Sequence, residues 1–196
     1  MASLIFIATF IAVFILIITV IIKLIQHKSS TSGLRTIAVI LSCYGLLWII
    51  FYFRINEIAV PFGTDVCFDD WCATITQAER LKTLGNQNPR GQFIVLHVKM
   101  SNHARGIAQK PSEPSVHIID GKGHSWGLSK EGQQALDNVA GKQIPIDAKL
   151  ELHQSLETQV VFGIPSDAKN LKAIIEEGPF ITKFLLPDDH EVFLLH

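Results

Sequence analysis

Acidic residues are absent from the first 56 positions of this 196-residue chain, and charged residues of either sign are absent from residues 1–22 and 36–53. All 18 Asp and Glu residues lie from Glu57 onward. A surface helix of a globular protein carries a charged or polar face, which these two segments lack. The N-terminal quarter and the remainder of the chain are therefore predicted to occupy different environments.

Two long apolar runs account for this absence of charge. Over residues 4–22, 15 of 19 side chains are Leu, Ile, Val or Phe, which favours insertion into a bilayer by about 5 to 9 kcal/mol. Residues 36–53 would extend about 27 Å as a helix, close to the roughly 30 Å of a hydrocarbon core. We predict transmembrane helices at residues 1–26 and 35–53, with the lipid bilayer as a partner.

The orientation follows from the loop predicted between these helices, residues 27–34. Lys23, Lys28 and Arg35 cluster at this loop, and basic residues stay in the cytoplasm. A cleavable signal peptide is disfavoured because no Lys or Arg precedes the first apolar run. The predicted location is the bacterial cytoplasmic (inner) membrane, crossed twice, with both termini and a single domain at residues 54–196 on the extracytoplasmic (periplasmic) side.

Cysteine is also scarce, with three residues in the chain. Cys43 falls inside the second apolar run and is interpreted as an apolar filler. A two-residue turn at Asp69-Asp70 would make Cys67 and Cys72 a cross-strand pair with Cα atoms near 4.5 Å. We predict a disulfide between them in an oxidising compartment. Two free thiols remain the alternative.

The segment from residue 54 to the C-terminus reads as β structure. Residues 92–100 alternate, with Ile94, Leu96, Val98 and Met100 on one face. Ser129 and Gly141 are predicted to begin and end one helix that carries Leu136, Val139 and Ala140 on one side. Further strands are predicted at residues 115–120, 156–164, 171–175, 181–186 and 191–195. Seven or eight strands at this spacing indicate an antiparallel β-sandwich.

Three segments resemble one bacterial family of unknown function: residues 93–102, 118–123 and 159–165. The members of this family are secreted or membrane-anchored proteins with a telokin-like immunoglobulin fold. The resemblance covers residues 92–177 and consists of strand and turn motifs. It implies an immunoglobulin-like sandwich and no activity. Together with the predicted spans, the expected fold class is two N-terminal transmembrane helices plus an all-β immunoglobulin-like antiparallel sandwich.

The sequence lacks the motifs of catalysis and cofactor binding. No Gly-x-Ser-x-Gly is present, and Gly121-x-Gly123 lacks the third glycine of a phosphate-binding loop. Seven histidines lie beyond residue 54 without metal-ligand spacing, so only the fold could bring His97 and His117 together. The paired acids Asp69-Asp70, Glu176-Glu177 and Asp188-Asp189 are interpreted as solvated turn residues. We predict no enzyme activity, no cofactor and no metal site.

The absence of catalytic and cofactor-binding motifs favours a protein that acts by binding other proteins. The expected function is a membrane-tethered extracytoplasmic protein-interaction module, an accessory subunit or assembly factor that presents an edge strand or a loop face to a membrane or envelope protein. Trp71 and Trp126 are expected either in the core or beside a binding surface. The alternative is a ligand- or metal-binding envelope sensor with its pocket between the sheets or beneath residues 101–114. A net charge of −4 over residues 54–196 gives no reason to expect nucleic acid.

Overall fold

The computed structural model describes residues 2–25, 31–52, 56–89, 91–179 and 190–195. The described residues form two compact units, of which one is a pair of helices and the other is a β-sandwich with one further helix. The helices are α1 (Ala2–Ile25), α2 (Thr31–Tyr52) and α3 (Lys130–Ala140). The strands are β1 (Glu57–Val60), β2 (Val66–Phe68), β3 (Trp71–Leu81), β4 (Gln92–Asn102), β5 (Ser115–Ile119), β6 (Ser125–Trp126), β7 (Ser155–Ile164), β8 (Leu171–Glu176) and β9 (His190–Leu195).

The helical unit consists of α1 and α2. A Cβ atom at Gly33 would lie 2.7 Å from Val20 Cγ2, so glycine lets the two helices approach closely. Val20 is buried, whereas Phe14 and Leu46 are more than half exposed. The unit therefore keeps much of its apolar surface uncovered by described residues.

The prediction of two membrane spans is wrong. No helix in the part of the chain that the structure describes is both long enough and apolar enough to cross a bilayer. A span needs roughly 20 consecutive apolar residues. α2, for example, contains the charged Arg35. The predicted spans at residues 1–26 and 35–53 are therefore wrong. The two-pass inner-membrane location, which was derived from these spans, is wrong as well.

The predicted β-sandwich is confirmed. One sheet has the strand order β1-β9-β8-β5-β6 and the other β2-β3-β4-β7. β1 pairs in parallel with β9, so the predicted wholly antiparallel arrangement does not hold. A parallel pair needs a long connection, and here nearly the whole sandwich lies between the two strands.

The predicted alternation along β4 is confirmed on its inner face. Ile94, Leu96, Val98 and Met100 are at most 1% exposed and face the inner strands of the other sheet. On the opposite face of β4, Val95 is also buried and is 2% exposed. Because α3 lies across this end of the sheet, a second apolar cluster forms there from β4, β7 and the helix.

The helix predicted between Ser129 and Gly141 is confirmed. The Ser129 hydroxyl accepts a hydrogen bond from Gly132 N, and Gly141 follows the last turn with φ of 87°. Leu136 is buried as predicted, but Val139 and Ala140 are exposed. Gly132 faces the sheet instead. A Cβ there would lie 2.6 Å from Val161 Cγ1, so glycine permits the close helix–sheet contact.

Several predicted strands are confirmed with small shifts of their ends. Residues 115–120, 156–164, 171–175 and 191–195 correspond to β5, β7, β8 and β9. The strand predicted at residues 181–186 lies outside the described residues. So does Asp188-Asp189.

Candidate functional site

The predicted disulfide between Cys67 and Cys72 is present. Phe68 pairs with Trp71 across the turn, and the two cysteines form the next cross-strand pair with Cα atoms 4.0 Å apart. Asp69 adopts a φ of 54°, which the tight turn requires. Free thiols are thereby excluded at both positions.

The two tryptophans in the sandwich have different roles. Trp71 is 3% exposed and belongs to the core. Trp126 is half-buried and packs against the core from β6. Its side chain lines two adjoining clefts of about 420 and 670 Å³, which also share Pro165. We call this pair of clefts the Trp126 groove, and it is the candidate functional site.

Loops from both sheets build the walls of the groove. One cleft is lined by the β3–β4 loop, the start of α3 and the end of β7, including Asn88, Ser129 and Glu131. The other is lined by the β5–β6 and β7–β8 turns, including Lys122 and Lys169. Convergent loops at one end of a rigid sandwich are a common position for binding residues.

The β5–β6 turn is organised by a single carboxylate. Asp120 Oδ1 accepts hydrogen bonds from Lys122 N at 2.8 Å and His124 N at 2.9 Å. Asp120 Oδ2 lies 2.9 Å from His124 Nδ1. The hydrogen bond with the His124 side chain is the main cause that lowers the pKa of Asp120, against the opposing effect of burial. The carboxylate is therefore occupied within the turn.

His124 presents the rest of its ring at the groove. Its side chain is 64% exposed, and its ring centroid lies 6.1 Å from that of Trp126. The contact with Asp120 engages Nδ1, so Nε2 is the ring nitrogen that this carboxylate does not engage. The pair thus offers a fixed imidazole beside an apolar aromatic surface.

The two turns beside Lys122 and Lys169 are tied to each other. Gly121 N donates to Lys169 O at 3.1 Å. A Cβ at position 121 would lie 3.1 Å from Asn170 Nδ2, so the absence of a side chain lets the turns meet. A groove whose walls are already fixed loses less conformational entropy on binding.

The edge of the four-stranded sheet at β7 is covered by side-chain amides. Gln133 Oε1 accepts from Val161 N at 3.1 Å, and Gln133 Nε2 donates to Gln159 O at 3.0 Å. Gln143 Oε1 accepts from Gln159 N at 3.2 Å, and Ser129 N donates to Val161 O at 2.7 Å. The outward backbone groups of Gln159 and Val161, which a partner strand would use, are therefore occupied, and this favours the loop face over this part of the edge as a binding surface.

The expected pocket beneath residues 101–114 is a small depression of about 300 Å³ beside His103 and His153. The Asn102 amide ties this loop to the sandwich by donating to Ile107 O and Leu150 O at 3.0 and 3.2 Å. Ala104 is 1% exposed, so part of the loop belongs to the core.

The Ser101–His103–Asp65 group does not form a catalytic relay. Ser101 Oγ and Asp65 Oδ2 both approach the same ring nitrogen of His103, Nε2, at 3.1 and 3.7 Å. A relay requires one partner on each nitrogen.

The histidines expected to meet only through folding remain apart. His97 lies on β4 and contacts Glu79 at 3.0 Å, whereas His117 lies on β5 in the other sheet. His117 and His190 approach different oxygens of Glu176 at 4.0 and 3.8 Å. Among the residues the structure describes, no group of three or more His, Cys, Asp or Glu side chains could hold a metal ion.

The paired acids have separate surroundings. Asp69 and Asp70 form the hairpin turn, and Asp70 Oδ2 lies 3.4 Å from Gln109 Nε2. Glu177 Oε1 accepts from Ser112 N at 2.6 Å. These contacts are those of acids that stabilise turns and loops.

Sequence reasoning missed Asp120, His124 and the lysines of the groove. The usable signal was Asp120 followed by two glycines and a histidine four residues on, a pattern in which an Asp side chain bonds the next backbone amides. The meeting of the β5–β6 and β7–β8 turns depends on sheet pairing and has no local signal.

No family model matches the chain, and no curated protein matches it. The solved structures that resemble it include the following three proteins. A conserved hypothetical protein from Bacillus anthracis is 17% identical, covers 62% of this chain and 94% of its own, and gives a TM-score of 0.50. The secreted protein MPT63 from Mycobacterium tuberculosis is 9% identical over 71% of this chain and 98% of its own, with a TM-score of 0.48. An uncharacterised β-sandwich protein from Clostridium difficile 630 is 9% identical over 72% of this chain and 96% of its own, with a TM-score of 0.48.

The likeness to the Bacillus anthracis protein shows the β-sandwich fold and carries no activity. It agrees with the predicted resemblance to bacterial β-sandwich proteins of unknown function. The telokin-like immunoglobulin assignment stays a prediction.

Proposed function

We propose that this protein is a non-enzymatic protein-interaction module that binds its partner through the Trp126 groove. The observation that carries the proposal is the half-buried Trp126 at the junction of two clefts. Large aromatic side chains that remain partly exposed dominate the energetics of interfaces. The covered β7 edge supports the loop face as the surface used.

The compartment proposed for this interaction is an oxidising one. The support is the Cys67–Cys72 disulfide, because such bonds persist in secreted and periplasmic proteins and are rare in the cytosol of mesophiles. An accessory or assembly role fits a domain that offers a binding surface and whose sequence contains no catalytic motif.

The test is crosslinking in the native host followed by mass spectrometry of the recovered complex. We expect a partner in fixed ratio with the wild-type chain and its loss with Trp126→Ala. Asn88→Tyr, which fills the groove from an exposed position, should have the same effect without removing a core contact. Val139→Ala, at an exposed position of α3, is the matched control. Unchanged recovery with both groove variants would rule out the proposal.

A second proposal is the binding of a small ligand in the same groove. Its support is size, since the clefts of about 420 and 670 Å³ fall within the roughly 300–1,000 Å³ of ligand sites. Native mass spectrometry of the purified protein should then show a bound small molecule at near-stoichiometric level. A mass equal to that of the chain alone would argue against it.

We also propose membership of the telokin-like immunoglobulin family. The three resembling segments fall on β4, on β5 with its following turn, and on β7, so they span both sheets. An experimental structure with a different strand order from the two sheets given above would contradict this assignment.

A further inference from the structure

The strand β3 changes its surroundings halfway along. β2 pairs only with residues 71–73 of β3, and just beyond them Gly63 N donates to Ile75 O at 2.9 Å. All residues from 71 to 75 are buried, whereas none from 76 to 81 is. β4 is the only described strand that pairs with residues 76–81. We call these six residues the open edge of β3.

The register of β3 with β4 shows which backbone groups of the open edge point outward. Ile75 points its carbonyl away from β4, toward the segment before β2. After a one-residue shift, the next pair is Gln77 with His97. Because hydrogen-bonded and non-hydrogen-bonded pairs alternate along an antiparallel ladder, the backbone N–H and C=O groups of Ala78 and Arg80 point away from β4. No described residue hydrogen-bonds to these outward groups.

The side chains of the open edge lie on two different faces of the sheet. Ala78 packs against the core, and Arg80 Nη2 donates to Leu195 O of the other sheet at 3.1 Å, so both side chains are on the inner face. Glu79 is on the outer face, where its carboxylate lies 3.0 Å from His97 Nε2. The acid and the guanidinium group therefore do not neutralise each other.

Arg80 has no acidic partner among the described residues, and neither has Lys82, which follows the strand. Residues 76–82 contain one Glu, one Arg and one Lys, a formal charge of +1. An inward-pointing charge discourages the addition of an arbitrary strand, because that strand would cover the charge without neutralising it. A strand with an acid opposite Arg80 removes this penalty, so the edge selects its occupant by charge.

We propose that the open edge of β3 binds an extended segment of a partner protein, which adds a strand to the four-stranded sheet and places an acidic side chain opposite Arg80. The backbone of the added strand bonds the outward groups of Ala78 and Arg80, and the acid supplies specificity. This surface is distinct from that of the proposed function, because none of residues 76–81 lines the Trp126 groove.

A second copy of this chain is a poor occupant of the open edge. Two copies related by a two-fold axis would pair β3 with itself in antiparallel fashion. Centring this pair on Glu79 places two carboxylates opposite each other, and centring it on Arg80 does the same with two guanidinium groups. Like charges directly opposite each other destabilise a sheet. Centring the pair on Ala78 brings Arg80 against the register shift at residue 76, where the ladder is interrupted.

The probe is the fluorescein-labelled peptide Thr-Val-Thr-Glu-Thr-Val-Thr, measured by anisotropy with the full chain. Its sequence is the same in both directions, so the Glu can meet Arg80 in a parallel or an antiparallel pairing. One matched peptide has Lys in place of Glu, and another has N-methyl groups on all internal amides. We expect the Glu peptide to bind roughly fivefold more tightly than the Lys peptide. The N-methylated peptide should lose more than about tenfold in affinity, because it cannot donate to the edge.

The Arg80→Glu variant should reverse the preference between the Glu and Lys peptides. Lys142→Glu, at an exposed position after α3, alters the net charge equally and should leave the preference unchanged. Arg80→Gln keeps a side-chain donor for Leu195 O, so it tests the charge without removing that contact. It should bind the two peptides equally.

Three results would overturn the proposal: no binding of the Glu peptide, equal binding of the Glu and Lys peptides by the wild-type chain, or affinity that N-methylation leaves unchanged. A dimer in sedimentation experiments that the Glu peptide dissociates would also overturn it, since a second copy would then occupy the edge. The groove is judged separately by the crosslinking experiment with Trp126→Ala.

Discussion

Asp120 determines the form of the β5–β6 turn and, through it, one wall of the groove. Its carboxylate accepts three hydrogen bonds, two from backbone amides and one from His124. Hydrogen bonds to the charged form of an acid favour that form. The lowered pKa of Asp120 therefore means that the folded turn favours the charged carboxylate.

This dependence predicts a loss of stability in acid. The pKa of Asp120 is lower in the folded chain than the value of about 3.9 expected when unfolded, so the unfolded chain binds more protons near that pH. The contribution is present above about pH 4 and is lost as the pH falls through the folded-state pKa. The Asp120→Asn variant should lack this contribution of the carboxylate to the free energy of unfolding. Urea unfolding should thus show the wild-type advantage over this variant narrowing between pH 6 and pH 3.

Asp167→Asn provides the comparison, because Asp167 borders the same groove at an exposed position. The narrowing should be larger for Asp120→Asn, which loses a carboxylate that holds three hydrogen bonds within the turn. A wild-type advantage over Asp120→Asn that does not vary with pH would contradict the account.

The disulfide gives a second prediction at the scale of single residues. Cys67 and Cys72 close a loop of six residues, for which the chain-entropy model gives about 2 kcal/mol. Replacing both with Ala should lower the free energy of unfolding by that amount in urea titration. Cys43→Ser should leave it nearly unchanged, since Cys43 is a free exposed thiol. Equal stability of wild type and the double variant would show that the hairpin turn is sufficient by itself.

At the scale of elements, α3 joins the groove to the sheet edge. Its first turn borders the groove, while Gln133 bonds the edge of β7. The sequence predicted the ends of this helix because Ser129 and Gly141 are local signals. It misjudged the buried face, since Gly132 lies against the sheet and Val139 is exposed. Which face a helix buries depends on the surface it meets, and that surface is built by β4 and β7.

The stabilising effect of the side-chain amides that bond the edge of β7 can be tested with two adjacent glutamines of α3. Gln133→Ala removes partners from Val161 N and Gln159 O, and a buried backbone group left unpaired costs about 1 to 3 kcal/mol. Gln134→Ala, at an exposed position of the same helix, should change stability by about 0.5 kcal/mol or less. Hydrogen exchange at Val161 N should accelerate in the first variant only. Equal protection of this amide in both variants would show that α3 covers the edge without these bonds.

The groove shows why a binding site can be missed from the sequence although the strands around it are predicted correctly. Alternation along β4 and the turn at Asp69-Asp70 are local patterns, so both were predictable. Trp126 was left open between core and surface because nothing near it in sequence decides the choice. Lys122 and Lys169 become neighbours of one cleft only after β5 pairs with β8.

At the scale of the whole molecule, the last strand lies inside its sheet. β9 sits between β1, which opens the sandwich, and β8. Its inward residues fill the core, with Phe193 fully buried between the sheets. The pairing of β1 with β9 joins residues more than 130 positions apart, which no periodicity in the sequence could reveal. The C-terminal strand β9 therefore completes the five-stranded sheet by joining β1 to β8.

Two neighbouring residues of β9 test this closure. Phe193→Ala should lower the free energy of unfolding by about 3 to 5 kcal/mol because it leaves a large cavity. Leu194→Ala removes a side chain that is 39% exposed and should cost about 1 kcal/mol or less. Both variants delete an apolar side chain from the same strand, so the difference between them isolates burial from strand propensity. Similar losses in urea unfolding would mean that β9 contributes by backbone pairing rather than by filling the core.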